Sequence, residues 1–272
     1  MSEIKKYSVL MAVYREDNPE YFQQAVESML AQTVPADEIV LVCDGELTEE
    51  LDLVIKAYED KVNVVRLEIN KGLGEALNEG LRRCRNELVA RMDSDDISLP
   101  DRCEKQLKAF EEDEKLDIVS GTVEEFFSTA DPPKKKHTLP LGHEEIIAFS
   151  RKRCPFNHPA VMYKKSSVTA AGGYHEEYHL FEDYDLWVRM MQNGAKGRNL
   201  PDVLLRMRVS DASYQRRGGL EYTKNLLRFH NHLRKSGWIG FGAFSSSAVP
   251  HAVICMMPNS VRKRVYRLFR TD

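Results

Sequence analysis

The chain has 272 residues, and its 39 Lys and Arg against 42 Asp and Glu give a formal net charge of -3. With 42% hydrophobic and 30% charged residues it has an ordinary globular composition, which excludes a disordered, collagen-like or coiled-coil protein. The overall charge also argues against a strongly basic nucleic-acid binder, and the length fits one large domain or two small ones.

The first half of the chain alternates apolar runs of strand length with helical patterns. The predicted strands are 7–14, 38–43, 62–67, 87–92 and 117–127, and the predicted helices between them are 19–32, 49–58, 74–83 and 100–112. This alternation predicts an α/β fold with a parallel, doubly wound sheet, in which ligands bind beyond the carboxyl ends of the strands. Residues 128–143, with three prolines and a Lys run, are predicted to be a surface loop, with a functional lid as the alternative.

The second half is less regular and ends in a basic segment. Helices are predicted over 183–192, 220–235 and 261–270. Residues 1–213 hold 28 basic and 40 acidic side chains, whereas residues 214–272 hold 11 basic and 2 acidic ones. We therefore expect an α/β domain over 1–213 followed by a basic helical extension over 214–272. Such asymmetry suggests an anionic partner, which is a membrane, a nucleic acid or a phosphate.

Cysteine usage and hydropathy indicate the compartment. The five cysteines include no Cys-x-x-Cys pair, so neither a zinc ribbon nor a thioredoxin motif is present, and a reducing compartment is favoured. The first residues lack the apolar core of a signal peptide, and no run of 18 apolar residues predicts a transmembrane helix. We expect a cytoplasmic protein, peripheral at most at the inner face of the plasma membrane.

The strongest local signal is Asp93-Ser94-Asp95-Asp96, which directly follows a predicted buried strand. Three carboxylates this close repel one another unless a cation or hydrogen-bond donors compensate. Hard cations such as Mg²⁺ or Mn²⁺ take oxygen ligands and bridge to phosphates. The motif therefore predicts a D-x-D metal and diphosphate site. The alternative, a capped turn ahead of the next helix, needs only one acid.

Two further motifs follow predicted strands. Asp44 precedes Gly45, and it is either an acceptor for a base or ribose or part of a common Asp-Gly turn. Asn70-Lys71-Gly72 opens a helix where backbone N–H groups can approach a phosphate. The dinucleotide fingerprint fails there because Leu77 occupies the third glycine position, and no P-loop is present.

Acidic residues also open the helix predicted over 183–192. Glu182, Asp183 and Asp185 are explained either by the helix dipole or by one carboxylate that points inward as a general base. His158, in Asn157-His158-Pro159, is more often a structural histidine than a ligand.

In chain order, five motifs resemble glycosyltransferase family 2, the inverting enzymes with the GT-A fold. They are VLMAVYRED, VLVCDG, NKGLGEALNEGL, RMDSDDISLPDR and FEDYDLWVRM, within residues 7–210. The resemblance implies a Rossmann-like, mostly parallel sheet flanked by helices, followed here by a C-terminal helical extension. A weaker likeness of SYQRRGGLEY extends to bacterial members that build capsule or lipopolysaccharide chains.

The resemblance also implies residue roles. Asp183 is the expected catalytic base, and Asp95 is the expected metal ligand together with Asp93, assisted by Asp96. The residues implied for the nucleotide-sugar donor are Ala12, Val13, Tyr14, Glu16, Asp44, Asn70, Lys71, Gly72, Asp93 and Ser94. Those implied for the acceptor are Glu182, Trp187, His158, Arg216 and Arg217. Ser210 stands where related enzymes often have a metal-binding histidine, so a third protein ligand is not implied.

The implied activity is transfer of a sugar from a UDP-sugar, with Mn²⁺ or Mg²⁺, to a saccharide or polyprenyl-diphosphate-linked acceptor in cell-surface polysaccharide synthesis. No nucleic-acid partner is expected, and the basic amphipathic segment 261–270 predicts contact with an anionic membrane. One alternative is a sugar nucleotidyltransferase, although that class has a Gly-rich basic loop where this chain has Tyr14-Arg15-Glu16-Asp17. The other is a non-catalytic nucleotide- or glycan-binding module at the membrane.

Overall fold

The structure is a computed structural model, and it describes residues 6–129, 135–210 and 218–257. The predicted helix over 261–270 and the predicted acceptor residues Arg216 and Arg217 lie outside these ranges. So does the expected boundary between residues 213 and 214, which therefore stays a prediction.

The described residues form a nine-stranded mixed sheet with the order β3-β2-β1-β4-β8-β6-β9-β5, and β7 pairs with β6. The strands are β1 (Tyr7–Val13), β2 (Glu38–Cys43), β3 (Asn63–Arg66), β4 (Leu88–Met92), β5 (Ile97–Ser98), β6 (Leu116–Phe126), β7 (Lys135–His137), β8 (Met162–Lys164) and β9 (Lys196–Arg208).

Helices flank the sheet and continue beyond it. They are α1 (Pro19–Leu30), α2 (Glu49–Ala57), α3 (Leu73–Arg83), α4 (Arg102–Glu112), α5 (His143–Ser150), α6 (Lys165–Ala170), α7 (Glu182–Gln192), α8 (Leu220–Lys235), α9 (Phe241–Ala243) and α10 (Val249–Met256). Short 3₁₀ turns cover His158–Ala160 and Glu176–Tyr178, and a π-helical turn covers Phe244–Ala248.

The parallel part of the sheet matches the prediction. β1 pairs in parallel with both β2 and β4, and β2 pairs in parallel with β3. Successive residues of β1 point to opposite faces, so Val9 and Met11 join the core under α1, α2 and α4, while Leu10 joins the core under α3. A Cβ at Gly80 of α3 would overlap Leu10 and Val42, so this glycine lets the helix lie close to the sheet.

The second half of the sheet is more mixed than predicted. β8 runs antiparallel to both β4 and β6, whereas β9 returns in parallel beside β6. The prediction that residues 128–143 form only a loop is wrong for Lys135–His137, which pairs antiparallel with β6. Polar cross-strand pairs explain this strand, because Lys136 forms an ion pair with Glu124 at 3.3 Å and His137 Nε2 lies at hydrogen-bond distance, 2.6 Å, from Glu125.

The described part of the C-terminal extension shares its core with the sheet. Leu226, Phe229 and Leu233 of α8 are fully buried in the same hydrophobic cluster as Trp187 of α7. Phe229 lies 4.9 Å from the Tyr184 ring, between ring centroids. The extension therefore packs directly against the helix that carries the predicted catalytic base.

Candidate active site

Three loops that carry predicted site residues leave the same edge of the sheet. Tyr14, Asp44 and Asp93 directly follow β1, β2 and β4, which are parallel neighbours. The backbone N–H of Asp44 donates to the Val13 carbonyl at 2.8 Å, which joins the first two loops. The structure thus brings together motifs that are separated by up to 80 residues in sequence.

Asp44 holds the third-strand loop in place. Its buried carboxylate accepts the backbone N–H of Lys71 at 2.7 Å and that of Gly72 at 3.0 Å. Gly72 has φ +88°, a conformation that side chains rarely allow, and it begins α3. Asn70 and Lys71 are exposed beside this contact. Two predicted donor motifs therefore act as one unit, and the direct contact expected between Asp44 and a nucleoside stays a prediction.

The loop after β1 is a tight turn closed by a carboxylate. Tyr14 donates its backbone N–H to Asp17 at 3.0 Å, and Asp17 donates its own N–H back to the Tyr14 carbonyl at 3.0 Å. Glu16 is exposed at the tip, while Ala12 is half-buried and Val13 is buried. Val13 can therefore meet a ligand only through its backbone. Asp17, which the sequence motifs did not single out, is the residue that shapes this turn.

The D-x-D loop carries more negative charge than its neighbours balance. Asp93 is ion-paired with the buried Arg91, and Ser94 is half-buried. Burial, followed by the charges of Asp93 and Asp17, raises the pKa of Asp95 to about 6. Burial, followed by Asp93 and Asp95, also raises the pKa of Asp96 well above its usual range.

These carboxylates fit a divalent cation that is shared with a ligand. Asp96 Oδ2 is buried and has no hydrogen-bond partner, although Asp96 Oδ1 accepts the Arg208 backbone N–H at 2.7 Å. No three His, Cys, Asp or Glu side chains in the described ranges are arranged to hold a metal by themselves. A hard cation at Asp95 and Asp93 would therefore need oxygen ligands from a bound molecule, and a diphosphate supplies them.

Arg208, at the end of β9, fixes the D-x-D loop. Its Nε donates to the Asp95 carbonyl at 2.8 Å, and its Nη2 donates to Gln24 at 2.7 Å. The guanidinium also lies 3.7 Å from the centroid of the Tyr21 ring. Sequence reasoning missed this residue because 112 residues separate it from Asp96 and only the pairing of β9 with β5 and β6 brings it here.

Changing Arg208 to Met is expected to lower kcat/KM at least about tenfold, because hydrogen bonds from a charged group contribute about 1.5–3 kcal/mol each. Arg208→Lys should lie between the wild type and Arg208→Met, since it keeps the charge but loses the planar fork. The matched control is Arg206→Met, an exposed arginine two residues earlier on the same strand. Equal steady-state kinetics of Arg208→Met and Arg206→Met would contradict this role.

The predicted catalytic base lies in the first turn of α7. Asp183 Oδ2 is 3.5 Å from the Cys154 thiol, which donates to it. Glu182 accepts its own backbone N–H and that of Leu180, and burial nevertheless raises the pKa of Glu182. Leu180 has φ +69°, which is unusual for a residue with a side chain. The residues before Asp183 are thus held by the carboxylate of Glu182, which was predicted to hold an acceptor.

Asp185, two residues further along α7, has a structural role. It is buried, and Arg189 donates to it from Nε at 2.7 Å. The same guanidinium donates to the carbonyls of Ala171 and Gly173, and His232 of α8 lies 3.4 Å from Asp185. The Arg189–Asp185 ion pair joins α7 to the preceding loop, and the close approach of His232 brings α8 to the same carboxylate. The acids of the motif therefore divide into a half-exposed pair, Glu182 and Asp183, and a buried anchor.

A buried tyrosine places the D-x-D loop and the base in one region. Burial raises the pKa of Tyr174, and the carboxylates of Asp183 and Asp93 both add to that rise. Tyr174 Oη lies 3.3 Å from His158 Nε2. Burial, followed by the Arg91 cation, holds the pKa of His158 well below its usual range, so the imidazole is neutral. These contacts give His158 a structural place beneath the site.

Trp187 lies in the core in this structure. Its side chain is completely buried and packs against Phe156 at 5.8 Å and Tyr163 at 6.1 Å, between ring centroids. It lies one helical turn after Asp183, and that turn brings it from the edge of the site into the core. The structure therefore places Trp187 in the core beneath the site, and its expected acceptor contact stays a prediction.

Known proteins share these features of sequence and fold. Residues 8–169 match the family described as glycosyl transferase family 2. The chain is 38% identical over 265 residues to the UDP-Gal:alpha-D-GlcNAc-diphosphoundecaprenol beta-1,3-galactosyltransferase of Escherichia coli, covering 96% of this chain and 95% of that protein. It is 41% identical over 239 residues to the amylovoran biosynthesis glycosyltransferase AmsE of Erwinia amylovora, covering 86% of this chain and 88% of that protein.

Solved structures show the same fold at lower identity. The mannosyltransferase PcManGT of Pyrobaculum calidifontis, in complex with GDP-Man and Mn²⁺, aligns with a TM-score of 0.65 at 16% identity, over 100% of this chain and 77% of that one. TarS 1-349 of S. aureus with UDP-GlcNAc aligns with a TM-score of 0.62 at 16% identity, over 97% and 71%. The predicted GT-A fold is thereby confirmed, and the chain is a glycosyltransferase that belongs to glycosyltransferase family 2.

Proposed function

We propose that this glycosyltransferase moves a sugar from a UDP-sugar to a saccharide carried on a polyprenyl diphosphate, with inversion at the anomeric carbon. The observation that carries the proposal is geometric: the loops at Tyr14, Asp44 and Asp93 leave one edge of the parallel strands. In addition, the carboxylates of Asp93 and Asp183 both raise the pKa of the buried Tyr174, after the larger effect of burial. A carboxylate cluster suited to a diphosphate and a separate carboxylate suited to a general base therefore face one region.

Separate groups of residues would bind the two parts of the donor, the nucleoside and the diphosphate. The joined loops at Tyr14, Asp44 and Lys71 bind the nucleoside part of the donor. When bound at Asp95 and Asp93, a divalent Mn²⁺ or Mg²⁺ ion supplies charge neutralisation for the leaving diphosphate. Arg208 holds the backbone of the D-x-D loop in the geometry that this requires.

Asp183 then takes the proton of an acceptor hydroxyl. The oxygen of that hydroxyl attacks the anomeric carbon from the face opposite the diphosphate, and the bond from that carbon to the diphosphate oxygen breaks. A single displacement inverts the centre, so an α-linked donor yields a β-linked product. The transition state is oxocarbenium-like, by analogy with glycosidases.

The substrate classes are supported by the relatives. The Escherichia coli relative is named for a UDP-galactose donor and an acceptor that is linked through diphosphate to undecaprenol. The Erwinia amylovora relative is named for the biosynthesis of amylovoran. A lipid acceptor places the reaction at a membrane surface. The chain would therefore associate peripherally, helped by its basic tail, and no helix in the described ranges is long and apolar enough to cross a bilayer.

A thermal-shift screen of nucleotide sugars, with and without Mn²⁺, tests the donor. UDP-sugars are expected to raise Tm more with Mn²⁺ than without it, because binding to the folded state at 100 times Kd adds about 2.7 kcal/mol.

The product with an α-linked donor should show β-anomeric coupling by NMR. Release of pyrophosphate from UTP and a sugar phosphate would instead indicate a sugar nucleotidyltransferase. Metal-dependent donor binding without turnover of any donor and acceptor pair would indicate a non-catalytic binding module.

A further inference from the structure

A long uncharged segment lies on the surface of the C-terminal extension. Residues 238–257 contain no Asp, Glu, Lys or Arg, although 30% of the whole chain is charged. Part of the segment is nevertheless exposed, since Phe241 is 73% exposed and Val253 is 55% exposed. An ordinary exposed helix of a globular protein carries charged residues on its solvent face. The absence of charge on this exposed surface indicates that it contacts an apolar partner and not only water.

Exposed apolar side chains line one face of α10. Val249, Val253 and Met256 of α10 are four and three residues apart, so they share one face of the helix, whereas Ala252 and Cys255 face the core. The backbone N–H of Gly219 donates to the Cys255 carbonyl at 3.0 Å, which brings the start of α8 beside this helix. We define the apolar ridge by its five members, Leu220, Phe241, Val249, Val253 and Met256.

The C-terminal extension that carries the apolar ridge is basic in sequence. Residues 214–272 contain 11 basic and 2 acidic side chains. Lys224, Arg228, Arg234 and Lys235 of α8 are exposed. The sequence that follows α10 continues with the basic segment 261–270. Apolar side chains flanked by Lys and Arg match the boundary between acyl chains and anionic headgroups of a bilayer.

We propose that the apolar ridge inserts into the headgroup region of an anionic membrane and docks the enzyme there. Insertion would be shallow, because no helix in the described ranges can span a bilayer. A protein partner or a second copy of the chain would also cover apolar side chains. The charge of the surrounding surface favours the anionic bilayer over a second copy, which would bring two like-charged surfaces together.

A series of aromatic contacts links α10, which carries most of the apolar ridge, to the candidate active site. Phe181, two residues before Asp183, stacks on Phe229 of α8 at 5.1 Å and lies 5.5 Å from Tyr222, between ring centroids. Tyr222 in turn lies 6.5 Å from His251 of α10. Docking through the ridge would therefore hold the base-bearing segment near the bilayer. This consequence rests on the proposed lipid-linked acceptor, whereas the docking itself does not.

Vesicle flotation of the full-length protein tests the docking without donor or acceptor. The variants are Phe241→Glu and Val253→Glu, and the matched control is Leu53→Glu on α2, which is 66% exposed. The wild type and Leu53→Glu are expected to float with vesicles of phosphatidylcholine and phosphatidylglycerol. Each ridge variant should bind at least about tenfold more weakly, because burying one such side chain contributes about 1.5–3 kcal/mol.

Three further measurements keep the docking and the proposed function separate. Ridge variants should retain full transfer to a short-chain prenyl-diphosphate saccharide in solution and lose transfer to the same saccharide on a long prenyl chain in vesicles. Unchanged flotation of both ridge variants would overturn the docking and leave the proposed function standing. A dimer by light scattering that these substitutions dissociate, without vesicle binding by the wild type, would show that a second copy covers the ridge and would equally overturn the docking.

Discussion

The Asp183→Asn variant is expected to lose sugar transfer by about 10²–10⁴-fold, the range that a positioned general base contributes. Asparagine keeps the shape of the side chain and cannot take a proton from the acceptor hydroxyl. Asp183 lies in the first turn of α7 and is half-exposed beside the Cys154 thiol, so the substitution leaves the core untouched. Donor binding, measured by calorimetry with Mn²⁺, should therefore remain close to that of the wild type.

Asp185→Asn, the same substitution two residues later on α7, is the matched comparison for Asp183→Asn. Asp185→Asn removes the buried partner of Arg189, so it should lower Tm, and breaking a buried ion pair by removing one partner costs about 3–5 kcal/mol. Asp183→Asn should leave Tm within error of the wild type. Full turnover by Asp183→Asn would remove Asp183 from the mechanism. A fall in Tm as large as that of Asp185→Asn would instead make its loss of activity a folding effect.

Asp95→Asn should abolish the Mn²⁺-dependent part of donor binding and lower transfer about 100-fold or more, while it raises the stability of the ligand-free protein. Activity falls because the carboxylate that would hold the cation is gone. Stability rises because burial, followed by repulsion from Asp93 and Asp17, disfavours the charged form of Asp95 in the folded protein. Removal of this charge is expected to raise the free energy of unfolding by the order of 1–3 kcal/mol, which corresponds to a few degrees in Tm for a chain of this size.

Opposite changes of activity and stability distinguish this site from a structural turn. Asp101→Asn is the control, since Asp101 is a surface acid close by in the chain that is already paired with Lys105 at 2.8 Å. It should change neither the dependence of donor binding on Mn²⁺ nor Tm by more than a degree or two. If Asp95→Asn lowers Tm and keeps Mn²⁺-dependent donor binding, the D-x-D loop is a turn held by its own hydrogen bonds and not a cation site.

The parallel half of the sheet was predictable because its signals are local. β1, β2 and β4 are short apolar runs, and each is followed directly by a polar residue of the proposed site. Parallel strands place their carboxyl ends at one edge, so the meeting of Tyr14, Asp44 and Asp93 follows from the strand pattern alone. Family resemblance then added Asp183, whose motif is too short to be informative without the others.

The second half of the site was not predictable because it depends on contacts between distant segments. Arg208 reaches the D-x-D loop only because β9 crosses between β6 and β5. Trp187 shows a different limit: a motif gives the order of residues along α7 but not the depth of each side chain in the core. β7 was missed because its residues are charged, and its stability comes from partners on β6 rather than from apolar side chains.

The stacked rings of Phe181 and Phe229 determine how this enzyme can be recombined with its relatives. The segment before the proposed catalytic base and the C-terminal helix α8 contribute to a single interior surface, so we expect neither to retain its packing when it is exchanged alone. A chimera joined between α7 and α8 takes one half of this aromatic cluster from each parent, and the two halves come from different packing arrangements. Chimeras that take both from one parent keep the cluster whole, and acceptor preference would then be transferred as a block that includes Asp183 and the apolar ridge.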